Sequence, residues 1–530
     1  HSSLTFPAAV FRGTLRIMPA SIQSSPDTPG PGRRKTLEQV LFENDTNGLK
    51  RSLTATQLVI LGVGSTIGAG IYVMTGTAAA EYAGPSVLIS FVIAALACLF
   101  TAFSYGELSS TLPVSGSAYS YAYISMGEKV AWMVGWLLLL EYGISCSAVA
   151  AGLSGYASSL LGVTGFHMPA ALTHATLQPV PGTAGAQISA GWRFDLIGFT
   201  ATLLVTALLV RGVEESARIN TMIVALKVGV LFVFVALGIG AVNPANWHPL
   251  IPASEGGFHY GVRGIFRAAS VIFFAYVGFE AVSTASAEAR NPTRDVPIGI
   301  IGSLLICTIV YMIVATVLLG IVPYRELDVP DPLAIAVKIM HTPWLSMLVN
   351  VGATIGLCSV LMGLMYAQSR VLLTISRDGL IPQIFSVIHP KFRTPWIGTI
   401  VLGVVVALIT ATLPIDIISD LVSIGTAAAF GIVCFTVIWQ RNTRPDIVRP
   451  FSVPLGGFRI RGIWIGTTPA LGILFCLVMT IPLISDMIHA VTSGNPVPLF
   501  LLVTYLALGT ATYVFYGRRH SKMRPERPSV

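Results

Sequence analysis

The chain is built from long apolar runs separated by short polar ones. At roughly 1.5 Å of rise per residue, a helix needs about 20 predominantly apolar residues to cross the hydrocarbon of a bilayer. Segments of that kind fall at 55–78, 84–110, 129–161, 194–212, 216–242, 264–286, 296–321, 343–374, 396–413, 416–440, 464–488 and 497–517. The pattern predicts an all-α polytopic membrane protein of about twelve transmembrane helices.

Composition agrees with this. Hydrophobic residues make up 54% of the 530 and charged residues 11%, against about 25% charged in an ordinary soluble domain. Mean hydropathy is +0.76. A soluble core stops growing near roughly 250–300 residues, so the apolar excess has lipid as its solvent.

The net charge of +8 would suit a nucleic-acid partner, but its distribution excludes one. Lys and Arg crowd the short segments between spans, as membrane topology requires. With the N-terminus inside, 26 of the 32 Lys and Arg fall on the cytoplasmic side. Only Arg193, Arg263, Arg267, Arg325 and Lys338 fall outside, and Lys227 lies within a span. Both termini are therefore expected in the cytoplasm of an inner or plasma membrane. The long segment 162–192 holds no Lys or Arg and is expected outside. Basic runs such as Arg441-Asn-Thr-Arg and Arg518-Arg-His-Ser-Lys read as orientation signals that also attract anionic headgroups.

All six cysteines (Cys98, Cys146, Cys307, Cys358, Cys434 and Cys476) fall in apolar spans and behave there as small hydrophobes. No disulfide framework is expected. The nine histidines fall in loops or termini, so no metal site and no cofactor are expected. Residues 1–36 are rich in Ser, Pro and Arg, which predicts disorder. The chain starts at His1, and Met18 is an alternative start. The expected organisation is a cytoplasmic segment 1–52, a core of ten helices over 53–440, two further helices over 441–517 and a basic tail over 518–530.

Four features break the apolar rule. The first is Gly62-Val-Gly-Ser-Thr-Ile-Gly-Ala-Gly-Ile in span 1. It lacks the spacing and the preceding strand of a dinucleotide site. Gly64 and Gly68 form a small-xxx-small pair suited to close helix packing. Glycines beside Ser65 and Thr66 equally suggest an unwound stretch, whose freed N–H and C=O groups need partners away from lipid. The second is Phe273-Phe-Ala-Tyr-Val-Gly-Phe-Glu in span 6. Alone it reads as an aromatic packing face. If spans 1–5 and 6–10 are inverted repeats, however, spans 1 and 6 correspond, and paired Gly-interrupted spans point to a transporter's midplane site.

The third feature is Lys227, in the middle of span 5. A central Lys costs about 2.5–3.5 kcal/mol on insertion scales. It either snorkels towards an interface or serves transport as an amine able to release its proton. The fourth is Glu141, near the middle of span 3. It is either a neutral structural acid or a carboxylate that holds a cation. Glu107 and Glu280 lie nearer span ends and suit structural roles.

Further strings join these: Tyr105-Gly-Glu-Leu, Gly116-Ser-Ala-Tyr, Gly135-Trp with Glu141-Tyr, Glu288-Ala-Arg-Asn-Pro and Ser376-Arg-Asp-Gly-Leu-Ile-Pro. In this order, from Leu53 to Tyr516, the chain resembles the amino acid–polyamine–organocation superfamily, in particular bacterial relatives of the cationic amino acid transporters. The resemblance implies a five-plus-five inverted-repeat core with helices 1 and 6 discontinuous. It implies that backbone groups of Ser65, Thr66, Ile67, Gly68, Ala69 and Gly70 bind a substrate carboxylate. Carbonyls around Phe274, Ala275 and Val277 would take the amine, with Phe274 as a gate. Lys227 would replace the sodium of coupled relatives, implying proton coupling. Selectivity would be set by side chains of helices 3 and 8, near Glu141 and near Cys358, Ser359 and Leu361.

The expected function is secondary active transport of amino acids, as proton-coupled symport of neutral or cationic L-amino acids. An amino acid or polyamine exchanger remains open, as does a non-transporting amino acid receptor. A membrane-embedded enzyme ranks last, since no nucleophile–base pair can be placed. The partners are the substrate, protons and the lipid bilayer, and the oligomeric state is open.

Overall fold

The computed structural model describes residues 52–114, 116–163, 165–179, 186–188, 192–212 and 217–523. The expected disordered segment 1–36, with Met18, and the last seven residues of the basic tail lie outside the described residues.

Each apolar run forms a helix. The helices are α1 in two halves (below), α2 Val87–Thr111, α3 Glu128–Val163, α4 Leu196–Val210 and α5 Ala217–Gly238. After α6, also in two halves, come α7 Pro292–Ile321, α8 Pro343–Arg377, α9 Trp396–Thr412 and α10 Ile415–Thr443. The series closes with α11 Thr467–Thr492 and α12 Val497–Thr512, the latter prolonged by a π-helical turn Tyr513–Gly517. Among the described residues, nine helical stretches are long and apolar enough to cross a membrane; α4 and α9 are apolar but shorter.

Two short helices that hydropathy does not reveal, Ser117–Ser125 and Pro332–Ile339, fill connections. So do two small hairpins: β1 Leu177–Pro179 with β2 Ala186–Ile188, and β3 Gly457–Ile460 with β4 Ile463–Gly466. The second hairpin corrects the expected start of span 11: residues 464–466 are strand, and the helix begins at Thr467. His489, expected just past that helix, lies in its last turn.

The first span is interrupted. Its first half, α1a, runs Ala55–Thr66 and is opened by a capping box, in which the Thr54 side chain accepts from the Gln57 N–H and the Gln57 side chain accepts from the Thr54 N–H. Near its end, the Ser65 and Thr66 hydroxyls donate back to the carbonyls of Leu61 (3.0 Å) and Gly62 (2.8 Å), a habit that bends helices. Ile67 then turns extended, with ψ of 95°. The helix restarts at Gly70 as α1b, through π-helical turns at Gly70–Met74 and Ala78–Ala83. The unwound stretch is thus shorter than the whole glycine run, and the span reaches Ala83 rather than 78.

The sixth span breaks in the same manner. Its first half, α6a, runs Gly261–Phe273 and tightens over Phe274–Tyr276. Val277 is extended, with ψ of 132°, and Gly278 adopts φ of +120°. The second half, α6b, is a 3-10 helix over Phe279–Glu288.

Polar residues buried in this bundle hold helices to one another. Arg267 of α6a ion-pairs with Asp420 of α10 at 2.8 Å and with Asp486 of α11, and its guanidinium lies 4.6 Å from the centre of the Tyr82 ring. At the far end of α10, Arg441 grips Glu107 of α2 with two donors, while the Val453 N–H donates to the same carboxylate at 2.8 Å.

Candidate functional site

The two breaks face each other across the centre of the bundle, backbone against backbone. A Cβ on Gly70 would stand 2.2 Å from the Ala275 Cα, and one on Gly278 would stand 2.6 Å from the Ser65 carbonyl oxygen. Glycine is therefore required on both sides of the contact, and at Gly278 by the positive φ as well.

Between the breaks lies a narrow, partly open cleft. Its floor is α1, through Ser65, Thr66, Gly68, Ala69 and Gly70. Phe274, Ala275 and Val277 of α6 stand opposite. Ser145 and Val149 of α3, with Val360 and Leu364 of α8, complete the wall. Eight of the ten residues expected to contact a substrate meet here. Ile67 does not; it is fully buried and its carbonyl faces Lys227. Glu141 is also not on the wall, lying one helical turn before Ser145. On α8 the wall is made by Val360 and Leu364, in place of Cys358, Ser359 and Leu361.

The break leaves polar groups of both signs. The leading N–H groups of a restarted helix have no carbonyl a turn earlier, and they carry the positive end of the dipole. The trailing carbonyls of α1a carry the negative end, and two side chains meet them. Lys227, fully buried on α5, donates from Nζ to the Gly64 carbonyl and, at 3.0 Å, to that of Ile67. The snorkelling alternative is thereby excluded. Gly356 of α8 leaves room for the lysine stem, since a Cβ there would stand 3.3 Å from the Lys227 Cβ.

Tyr311 of α7 supplies the other partner. Its hydroxyl lies 2.7 Å from the Thr66 carbonyl oxygen and 3.0 Å from that of Ala275, so one donor spans both breaks. Nothing in the sequence marks this residue, since a tyrosine in an apolar run reads as ordinary core.

Glu141 is fully buried, and neither of its oxygens has a hydrogen-bond partner. Its electrostatic neighbours are Glu280 of α6b and Thr426 of α10. Glu280 accepts the Gly278 N–H at 2.9 Å through one oxygen, while its other oxygen is unpartnered. The two carboxyl groups lie close enough to interact, and neither is on the cleft wall.

A bundle of apolar helices, two of them broken mid-span at a shared cleft, defines a polytopic membrane permease and not an enzyme. Residues 53–508 match the model of the amino acid permease family, and the chain belongs to that family. It is 40% identical over 489 residues to the methylthioribose transporter of Bacillus subtilis (strain 168), covering 92% of this chain and 98% of that protein. It is 38% identical over 493 residues to the branched-chain amino acid permease BcaP of the same organism, covering 93% and 98%. Against the vacuolar cationic amino acid transporter 2 of Arabidopsis thaliana it is 38% identical over 414 residues, 78% of this chain and 63% of that one.

Proposed function

We propose that the chain carries α-amino acids with neutral, apolar side chains across the membrane by proton-coupled symport. The observation that carries this reading is the cleft formed by both helix breaks. A zwitterion needs donors for its carboxylate and acceptors for its amine within a few ångströms. The N–H groups of Gly68, Ala69 and Gly70, just past the end of α1a, supply the first, and the carbonyls of Phe274, Ala275 and Val277 supply the second. Phe274 is the aromatic lid over the bound substrate.

The substrate side chain then points between α3 and α8. Val149, Val360 and Leu364 bound that space with no charged group on the wall, which favours a branched aliphatic or thioether chain over a cationic one. Relatives with nearly the whole length in common are named for branched-chain amino acids and for methylthioribose. The latter is a thio-sugar without carboxylate or amine, so the polar breaks favour the amino acid.

In this reading Lys227 is the coupling group. Its ammonium is bonded to the α1a carbonyls, so proton loss would remove the charge from these bonds, weaken the hold of α5 on α1a and let the break reshape. The core over 53–440 works as two inverted five-helix repeats with the breaks at corresponding positions, and both termini face the cytoplasm.

The test is uptake into sodium-free proteoliposomes with acid outside, using branched-chain, thioether and cationic amino acids together with methylthioribose. Accumulation of the neutral amino acids that collapses with the pH gradient supports the reading. Preferred uptake of cationic substrates or of methylthioribose overturns the substrate class. Uptake only into preloaded vesicles replaces symport by exchange, and binding without flux replaces transport by reception.

A further inference from the structure

The hairpin between α10 and α11 has two unlike faces. Its register pairs Phe458 with Ile465 and Ile460 with Ile463, which puts these four apolar side chains on one face. The loop is two residues, Arg461 and Gly462, both with positive φ (51° and 85°), the turn that matches the twist of a hairpin. The opposite face is anchored. Trp464 lies across the cross-strand pair Gly457 and Gly466, where a Cβ on either glycine would fall within 2.6 Å of the indole. The same ring stacks against Arg441 of α10 at 4.3 Å, and Asn442 bonds the Trp464 N–H and carbonyl at 2.7 and 2.9 Å.

Because that face is committed to α10, the apolar one is turned away from it. There Phe458 is 50% exposed, Ile460 52% and Ile463 56%. Leu455, just before β3, is also exposed. Such a cluster facing water is unusual in a folded protein and marks a contact surface.

We infer that this hairpin docks on the bilayer itself, with its apolar face at the acyl–headgroup boundary and Arg461 of its turn among anionic lipid phosphates. Three observations converge on this occupant. β4 passes into α11 without a linker, Gly466 being strand and Thr467 helix, so the hairpin lies at the membrane edge. α11 itself exposes Leu474, Leu477 and Ile481, as a lipid-facing helix does. Arg461, in the turn that joins Ile460 to Ile463, is exposed, and apolar anchors beside arginine form the composition that binds an anionic interface. The inference rests on α11 spanning the membrane and is independent of substrate and of coupling.

The test uses full-length protein with Ile460→Cys labelled by an environment-sensitive dye, reconstituted into nanodiscs of phosphatidylcholine with or without phosphatidylglycerol. The unsubstituted protein is the labelling control, since five native cysteines are buried and Cys358 is half-buried. Docking predicts blue-shifted emission, quenching by lipids carrying a spin label high on the acyl chain, and protection from aqueous acrylamide. Protection should increase with phosphatidylglycerol and lose that increase in Arg461→Gln. Free quenching by acrylamide with none by the lipid label overturns the inference. Protection from both quenchers overturns it too, because a protein segment would then cover the face. Protection indifferent to phosphatidylglycerol removes the anionic specificity. Uptake measured on the unlabelled protein keeps a failure of transport distinct from a failure of docking.

Discussion

The ammonium of Lys227 donates to the carbonyl oxygen of Ile67 at 3.0 Å, joining the middle of α5 to the residue at which α1 unwinds. A donor in that position satisfies carbonyls that the interrupted helix leaves free, and it supports the end of α1a from α5.

Substituting Lys227→Ala is therefore expected to abolish the response of uptake to a pH gradient while leaving a folded, monodisperse protein. The measurement is uptake with and without the gradient, with size-exclusion behaviour as the folding control. Proton-driven accumulation that survives the substitution would remove Lys227 from the coupling mechanism.

Tyr311 ties the breaks to each other, because its hydroxyl meets the carbonyls of Thr66 and Ala275. Tyr311→Phe keeps the ring and removes this tie. A net loss of about 0.5–1.5 kcal/mol is expected, the range of an ordinary hydrogen bond, seen as a lower melting temperature in detergent. Uptake should weaken as well, since the breaks lose their spacer. Unchanged melting and uptake would mean that the tie is incidental to the state described.

How much of this was readable from the sequence depends on the kind of residue. The breaks are legible because Gly64, Gly68, Gly70 and Gly278 sit mid-span in apolar runs, those of span 1 beside Ser65 and Thr66, whose hydroxyls compete for backbone bonds. Lys227 is legible because charge in lipid is costly. Tyr311, Val149, Val360 and Leu364 are not, since each is an ordinary core residue in its own helix and gains meaning only from what faces it. The hairpin at Gly457–Gly466 carries a turn signal in Arg461-Gly462, but Ile463, Trp464 and Ile465 have the hydropathy of a helix start and draw the boundary too early.

Two glycine substitutions separate packing from binding. Gly278→Ala forces a side chain into φ of +120° and against the Ser65 carbonyl, and about 1–3 kcal/mol of destabilisation is expected from backbone strain. Gly68→Leu has a different effect: the atoms nearest a Cβ there are side-chain carbons of Val360, from 3.2 Å, which can shift by a few tenths of an ångström, and the rest of the side chain enters the cleft. Stability should hold while substrate binding disappears, as read by thermal shift with and without amino acid. Retained affinity in Gly68→Leu would place the substrate elsewhere.

Arg267 is held between Asp420 and Asp486 with about 1% of its side chain exposed. Arg267→Met strands two acids near one another, and breaking a buried pair in this way costs about 3–5 kcal/mol. The triple variant Arg267→Met/Asp420→Asn/Asp486→Asn should recover most of that loss in melting temperature. A single variant as stable as the original would show that the network contributes little to holding α6a, α10 and α11 together.

Glu141 decides whether substrate charge is read from behind the cleft. The carboxyl is not on the wall, and its nearest wall neighbour along α3 is Ser145, one turn away. Glu141→Gln preserves the shape and hydrogen-bonding capacity of a neutral acid and removes the possibility of charge. If the cleft takes apolar side chains, the variant should keep the KM for branched-chain amino acids, and cationic amino acids should compete no better and no worse than before. A rise in KM confined to cationic substrates would mean that a long side chain reaches past Ser145 to the Glu141 carboxyl, and the specificity proposed for this permease would widen accordingly. Loss of uptake for every substrate with KM unchanged would instead assign Glu141 to the transport cycle, as a proton-holding group acting beside Lys227.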